Sequence, residues 1–466
     1  MSATAISNPG LRVAVIGAGP SGFYTIQALL AQKEVTVTVD LFDRLLAPFG
    51  LVRYGVAPDH PKIKEVSRVF EKLLADPRVR YFGGVEYGRD LLLEDLLTHY
   101  DQVVFAVGGQ SDRRLGIPGE DLPNCFSSTA FVAWYSGHPD FVNLRPELDV
   151  RAAAVVGIGN VAIDVVRILA RHPEELAKTD IDEAALRCLR QSQIETIYLL
   201  ARRGPVQAKC SPAELKELAL LDGVELRVQA RDLELDEASA LALKADREAQ
   251  QNLVLLRALA EAPPKQARRR IELRFLVSPV AILGEHRVEK LRLERNRLVS
   301  EGGEAKVIGT GEFEELDCGL LVRAVGYRSL PLPGLPFDAR RAIVPNQKGR
   351  VWDPQTDQIL PRLYVSGWVK RGPTGLIGSN KPDGLETATS MLEDFQNDLA
   401  ARAPIRDPEA LPDLLWKRGV RFIDQAAWQE LDRFERQKGA EQGRSRAKLV
   451  RFEEAWEVLA NRTLSV

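Results

Sequence analysis

Two glycine strings in this chain have the spacing of phosphate cradles. The first is Gly17-Ala18-Gly19-Pro20-Ser21-Gly22, and the second is Gly157-Ile158-Gly159-Asn160-Val161-Ala162. In G-x-G-x-x-G, and in its variant ending in alanine, glycine permits a tight turn, lets backbone approach a pyrophosphate and lets a helix pack closely on a strand. The helix that follows offers free N–H groups and a positive dipole end to phosphate oxygens. Such a string is weak evidence alone; it gains meaning after a buried strand and before a helix.

Both strings have that context. LRVAVIG (11–17) is a continuous apolar run closed by glycine, which predicts a strand buried on both faces of a parallel sheet. VTVTVDLFD (35–43) is alternating and β-branched, which predicts the next strand. AAAVVG (152–157) and IETIYLL (194–200) repeat the pattern around the second string.

The two units end differently. Asp43 closes its strand 21 residues after Gly22. A carboxylate there accepts hydrogen bonds from ribose hydroxyls and repels a 2′-phosphate, so the first site takes FAD or NAD. The second unit runs into Ala201-Arg202-Arg203-Gly204-Pro205, with no acid. Two guanidinium groups there suit a 2′-phosphate, so the second site takes NADP(H). A polar helical insertion at 172–193 accounts for its longer spacing. Two sites of opposite preference imply that one cofactor feeds the other, as NADPH feeds a flavin.

Composition narrows the class. The 466 residues are 45% apolar and 27% charged, which fits a globular protein of two or three domains. A formal charge of −2 argues against a general nucleic-acid binder. Cys125, Cys188, Cys210 and Cys318 form no CxxC, so a redox disulfide, a zinc ribbon and an iron–sulfur cluster all lack their spacing; no metal centre is expected. Scattered thiols suit a reducing cytosol. No apolar run reaches the length of a membrane span, and MSATAISNPG reads as a short polar leader, so a cytoplasmic location is expected.

Further along, APFGLVRYGVAPDHPKIK (47–64) is loop-rich and precedes a helix at 65–75, and QVVFAVG (102–108) is another buried strand. Strands are expected at 270–277 and 319–325 and from Leu363. A glycine-rich loop and a helix near 385–401 follow, and the last 50 residues are charged and mostly helical. The simplest organisation builds an FAD domain from both ends, 1–109 and 335–466, around an NADP(H) domain at 110–334.

Longer segments carry a family resemblance. LVRYGVAPDHPKIK (51–64), WYSGHPDF (134–141), GIGNVAIDVVRIL (157–169), ARRGPVQAKCSPAELKEL (201–218) and GWVKRGPTGLIG (367–378) resemble the adrenodoxin-reductase-type ferredoxin–NADP reductases. The resemblance runs from about Leu11 to the C-terminus. It implies an α/β fold of two Rossmann-like domains, glutathione-reductase-like, with the FAD domain interrupted by the NADP(H) domain. It also implies non-covalent FAD, hydride delivery to it from NADPH, and single-electron transfer to a ferredoxin or adrenodoxin-like iron–sulfur protein. With no cysteine cluster in the chain, that acceptor is a separate protein.

Matched residue by residue, the resemblance assigns expectations. Asp43 stands where the family holds the FAD ribose, usually with glutamate. Gly50 and Leu51 match flavin-contacting backbone, and Val85 an adenine contact. Trp368 stands beside the isoalloxazine. Gly375, Leu376 and Ile377 present N–H groups to the flavin pyrimidine edge, where charge develops on reduction. Gly375 also leaves room for the nicotinamide. Arg202 and Arg203 match the 2′-phosphate pair. Glu214 matches an acid near the nicotinamide and His60 a histidine near the flavin; either could orient the carboxamide or manage a proton. Their plainer readings are a first-turn glutamate favoured by the helix dipole and a turn histidine bonded to backbone. Cys210 departs from the family, which has an aromatic residue there.

Alternatives stay open at this point. A small-molecule flavoenzyme (oxidase, quinone reductase or monooxygenase) would use the same two sites, and a non-catalytic NADP(H)-binding flavoprotein would keep them idle. Residues 265–297 hold ten basic and four acidic side chains, which is either a docking face for an acidic ferredoxin or a solvated surface. A monomer is expected; the ferredoxin type and the physiological direction are left open.

Overall fold

The computed structural model describes residues 10–301, 304–397 and 403–463, so the polar leader lies, but for Gly10, outside the described residues. Two parallel sheets organise the chain. In the first, the strands run in the order Asn346–Gln347, Arg350–Asp353, Gln358–Val365, Gln102–Phe105, Leu11–Ile16, Val37–Asp43 and Val79–Gly83. The five from Gln358–Val365 onward are parallel, and the first two join them as an antiparallel edge. This sheet therefore takes strands from both ends of the chain. Leu11–Ile16 is buried throughout, as a strand covered on both faces must be.

The second sheet is wholly parallel, in the order Cys125–Ser127, Leu320–Arg323, Ala152–Val156, Thr196–Leu200, Arg269–Arg274, Val224–Val228. A three-stranded antiparallel sheet, Val277–Leu283, Lys290–Glu301 and Glu304–Asp317, is appended to it. The chain passes between the two parallel sheets twice. The two passes, Ser111–Asp112 and Tyr327–Arg328, pair with each other as a short antiparallel ribbon.

Several elements differ from their expected bounds. The strand expected at 270–277 is two strands, because Leu276 adopts φ +56° and turns the chain out of the parallel sheet. The helix expected from 385 begins at Asn380 and is described to Gln396. Asn380-Lys381-Pro382-Asp383 looks like a turn in sequence, yet Pro382 sits in the first turn, where its missing N–H costs nothing. The helix expected at 65–75 spans Ser67–Leu74, and the insertion at 172–193 holds two short helices, Pro173–Leu176 and Glu183–Arg190.

Candidate functional site

The two glycine strings fold into the same local device. Gly17 sits at φ +111°, its N–H donates to the carbonyl of Phe42 at 2.8 Å, and an added Cβ would stand 2.6 Å from the Ala106 carbonyl oxygen. Gly157 sits at φ +124°, donates to the carbonyl of Leu200 at 2.9 Å, and an added Cβ would stand 2.2 Å from the Ala324 carbonyl oxygen. Only glycine tolerates both the backbone conformation and the contact. A Cβ added at Gly19 or Gly159 would meet nothing within 4 Å, which is the open face a pyrophosphate requires. No side chain caps either following helix, Pro20–Ala31 or Asn160–Ala170, so their first-turn N–H groups stay free for phosphate oxygens.

Asp43 closes the first cradle. Its carboxylate accepts from the Ala18 N–H at 2.8 Å and the Leu45 N–H at 2.9 Å. Burial pushes its pKa up, against the pull of those two N–H groups and Arg44. The carbonyl of Asp43 accepts from the Val85 N–H at 2.9 Å, which puts Val85 at the same end of the sheet. Phe49 N–H donates to the carbonyl of Ala18 at 2.7 Å, and a Cβ on Gly50 would lie 3.0 Å from the Gly19 Cα. Gly50 and Leu51 therefore cover the cradle, with Leu51 opening the helix Leu51–Tyr54.

The second cradle is dressed with cations. Among the described residues, neither Arg202 nor Arg203 has a carboxylate within ion-pair distance or a side-chain hydrogen bond, although most arginines of this chain are paired. Burial, and then the neighbouring Arg202, pull the Arg203 pKa down. Asn160 Oδ1 accepts from the Ser211 N–H at 3.2 Å, tying the cradle to the helix that carries Glu214. Cys210 is buried just before that helix, and burial pushes its thiol up to about 11.

The loop 367–380 returns to the first cradle. Trp368 Nε1 donates to the Thr374 carbonyl at 3.2 Å, and Arg371 Nη1 donates to the same oxygen. Asn380 Oδ1 accepts from Ser21 Oγ at 2.9 Å and from Arg371 Nη2 at 3.0 Å, while its Nδ2 donates to the Ile377 carbonyl at 3.0 Å. The loop is thus pinned to the phosphate turn. Gly375 sits at φ +81°, and the N–H groups of Gly375, Leu376 and Ile377 donate to no protein acceptor among the described residues. Three free donors on a fixed loop fit the pyrimidine edge of a flavin. The Trp368 ring lies 5.0 Å from Tyr327 on the inter-sheet ribbon, so the indole stands where the two halves meet.

His60 and Glu214 come within 4.8 Å of each other, where the two halves meet, but share no hydrogen bond. Glu214 Oε2 accepts from Arg167 Nη1 at 3.1 Å. His60 Nε2 lies 3.0 Å from Glu217 Oε2, one turn further along the helix Pro212–Ala219. Arg167 is fully buried and gathers the cluster: its Nε donates to Asp59 Oδ2 and its Nη2 to Asp164 Oδ1, both at 2.6 Å. Burial pushes Asp164 up to about 6, although Arg167 pulls the other way. Glu217, Asp164, Arg167 and Asp59 all lie within the segments that carry the family resemblance, but none was singled out as a site residue, because their mutual approach is set by the packing of separate elements.

The basic run 265–297 does not form one cationic face. Arg268 and Arg269 donate to the carbonyls of Ala170 and Leu169 and close the C-terminal end of Asn160–Ala170. Arg274, Arg287 and Arg295 pair with Glu314, Glu147 and Asp232. Arg270 pairs with Glu272, and Lys290 with Glu315. The acids that neutralise the run come largely from other segments, which counting charges along the sequence does not reveal.

Comparison with known proteins agrees with this geometry. The sequence profile of the pyridine nucleotide-disulphide oxidoreductases matches residues 11–256. The chain is 43% identical to NADPH-ferredoxin reductase FprA of Mycobacterium tuberculosis, over 95% of this chain and 97% of that one. It is 40% identical to the mitochondrial NADPH:adrenodoxin oxidoreductase of Arabidopsis thaliana, over 98% of this chain and 97% of that one. A solved structure of Mycobacterium tuberculosis FprA in complex with NADPH superposes with a TM-score of 0.90 at 42% identity, covering 96% of this chain and 99% of that one.

Proposed function

The chain belongs to the pyridine nucleotide-disulphide oxidoreductase family, in its ferredoxin- and adrenodoxin-reductase branch, and we propose that it works as an FAD-dependent ferredoxin–NADP(+) oxidoreductase. One observation carries this reading: two cradles of the same build are dressed oppositely, a carboxylate on the first and two unpaired arginines on the second. A carboxylate accepts hydrogen bonds from ribose hydroxyls, and arginines donate to the oxygens of a 2′-phosphate. When bound, FAD would take an electron pair from NADPH and release it one electron at a time, as an iron–sulfur acceptor requires.

The residues then have definite tasks. The turn 17–22 holds the FAD pyrophosphate, Asp43 its ribose, Val85 its adenine side, and Gly50 and Leu51 cover it. Gly375, Leu376 and Ile377 donate to the pyrimidine edge, held still by Asn380 and Arg371. Gly157, Gly159, Asn160 and Val161 take the NADP(H) pyrophosphate, and Arg202 and Arg203 its 2′-phosphate. Trp368 screens the junction where the two cofactors meet. His60, with Glu217, and Glu214, with Arg167, line that junction and orient the nicotinamide carboxamide or hold a proton.

The domain limits belong to the same proposal: FAD parts at 1–109 and 335–466, and an NADP(H) part at 110–334. The sheets support it, since the first takes its strands from 11–105 and 346–365 and the second from 125–323. No described helix is long and apolar enough to cross a membrane. We place the protein in the cytoplasm on its four free cysteines, and we take it to act as a monomer on a ferredoxin or adrenodoxin-like iron–sulfur protein.

Anaerobic stopped-flow tests the proposal. NADPH should bleach the visible flavin absorbance quickly, NADH should do so far more slowly, and an added ferredoxin should restore the oxidised spectrum. Bleaching without onward transfer to any iron–sulfur protein would replace this reading with that of a small-molecule reductase. A protein that stays colourless after reconstitution with FAD would end it.

A further inference from the structure

The appended three-stranded sheet lies against the Arg202–Arg203 turn, and one side chain joins them. Asn296 is buried, with 5% of its surface exposed. Its Nδ2 donates to the Arg202 carbonyl at 2.9 Å and to Ser278 Oγ at 2.8 Å, so both of its amide protons are used. Its backbone N–H donates to the Leu276 carbonyl at 2.7 Å, and the Leu276 N–H donates to the Arg203 carbonyl at 3.2 Å. The backbones of both arginines therefore hang from Asn296, one directly and one through Leu276.

The arrangement is specifically built. Leu276 adopts φ +56°, which a leucine rarely does and which persists only where neighbours fix it. A register shift between Glu294 and Asn296 interrupts the ladder with Glu304–Asp317 and sets Asn296 against the turn. Arg295 at that irregularity is anchored through Nη1 to Asp232 Oδ1 at 2.7 Å, and Asp232 also accepts the Phe275 N–H at 3.1 Å. Each of these bonds fixes backbone beneath the two arginines.

Two adjacent guanidinium groups without counter-charges repel each other and spread over many rotamers. Holding them toward one phosphate costs entropy unless their backbone is already set. We propose that Asn296 is a positioning residue for coenzyme choice: through the Arg202 carbonyl it aims the arginine pair at the 2′-phosphate, and it thereby sets the preference for NADP(H) over NAD(H). This deepens the function proposed above and rests on it.

The test is equilibrium binding to the oxidised holoenzyme, by calorimetry, of NADP+, adenosine 2′,5′-bisphosphate and NAD+. Asn296→Ala should weaken the two 2′-phosphorylated ligands about 5-fold, the range of one lost hydrogen bond. NAD+ should change less than about 2-fold, since it has no group for the arginines to read. Asn296→Asp, of the same size but without the donor, should do at least as much. The ratio of two constants from one preparation does not depend on how much of it is folded. Equal loss for NADP+ and NAD+, or no loss, overturns the inference. Arg202→Ala separates the two levels. If it leaves the NADP+ preference intact, the assignment of the arginine pair falls and this inference with it; if it abolishes the preference while Asn296→Ala leaves it unmoved, the inference alone falls.

Discussion

His60 Nε2 lies 3.0 Å from Glu217 Oε2, and the two residues stand on opposite sides of the cleft, His60 on the half that carries the first cradle and Glu217 on the helix after the second. The contact can form only when the halves are in register. Glu217 is partly exposed, so the pair contributes little by itself. Glu217 also pairs with Arg171 at 3.2 Å, so His60→Gln should slow flavin reduction by NADPH only about 3-fold, Glu217→Gln should do at least as much, and the double variant should be no slower than Glu217→Gln alone, because that change already removes the His60 contact. Stopped-flow on all four proteins closes the cycle; multiplicative losses would mean that the two side chains act separately.

Arg202 and Arg203 have no acid partner among the described residues, so their charge is free for a ligand. Arg202→Ala should lower kcat/KM for NADPH by about 10- to 100-fold, the worth of a charge-assisted hydrogen bond, and leave the NADH value within about 2-fold. Most of the loss should fall in KM, since the 2′-phosphate lies far from the reacting carbon and contributes equally in the ground and transition states. A loss shared equally by both coenzymes would remove the arginines from the phosphate site.

Both cradles were legible because a glycine turn between a buried strand and a helix is a local pattern, and each local step agrees with the fold around it. The interrupted order of the first sheet was legible only through GWVKRGPTGLIG, whose resemblance assigns the C-terminal part of the chain to the flavin. The cleft cluster was not. Asp59, Asp164, Arg167 and Glu217 lie in three of the segments that carry the resemblance, but they come together only through the packing of separate elements, which spacing along the chain does not show. The helix Asn380–Gln396 was placed late because its first turn is written in turn residues. The basic run left two readings open for the opposite reason: its charges are contiguous in sequence, but several are neutralised by acids from elsewhere, such as Glu147 and Asp232.

Gly157 and Gly17 make the two sites separable. An added Cβ at Gly157 would lie 2.2 Å from a backbone oxygen, at a φ that disfavours any side chain. Gly157→Ala should therefore abolish NADP+ binding while the protein stays yellow. Gly17→Ala should do the reverse and lose FAD. Flavin absorbance after gel filtration, together with NADP+ titration, checks the pair. If Gly157→Ala also lost its flavin, the two halves would not fold independently.

Burial holds the Asp164 carboxyl well above the usual carboxylate range, which predicts a pH dependence for the cluster around Arg167. Its pKa is about 6 against an ordinary 3.8, raised chiefly by burial. A carboxyl raised on folding contributes stability that is fully present below its unfolded value and is lost as pH rises through its folded value. Between pH 5 and pH 7 the stability of Asp164→Asn should therefore gain on the wild type by about 1 kcal/mol, read from denaturant midpoints at each pH. The rate of flavin reduction should show an inflection near pH 6 that the variant lacks. A parallel pair of stability curves would mean that Arg167 keeps Asp164 ionised throughout.

Arg167 should be the least replaceable side chain of the cleft. It is fully buried, and it bonds Asp59 from one half of the chain and Asp164 and Glu214 from the other. Replacing a buried ion cluster whole can be neutral, but removing Arg167 leaves Asp164 and Glu214 without an ion-pair partner among the described residues and Asp59 with Arg171 alone, at 3.1 Å. Arg167→Met should accordingly cost about 3–5 kcal/mol. The loss should shrink at low pH, because the abandoned carboxyls would titrate higher in the folded state and recover stability once protonated. Arg167→Met with Asp59→Leu should restore part of it by removing the most deeply buried of those charges. Chemical denaturation at pH 5.5 and pH 8 reads all of this. A loss below about 1 kcal/mol at pH 8 would show that water enters the cleft and solvates the acids, and Arg167 would then be a bystander between the two halves.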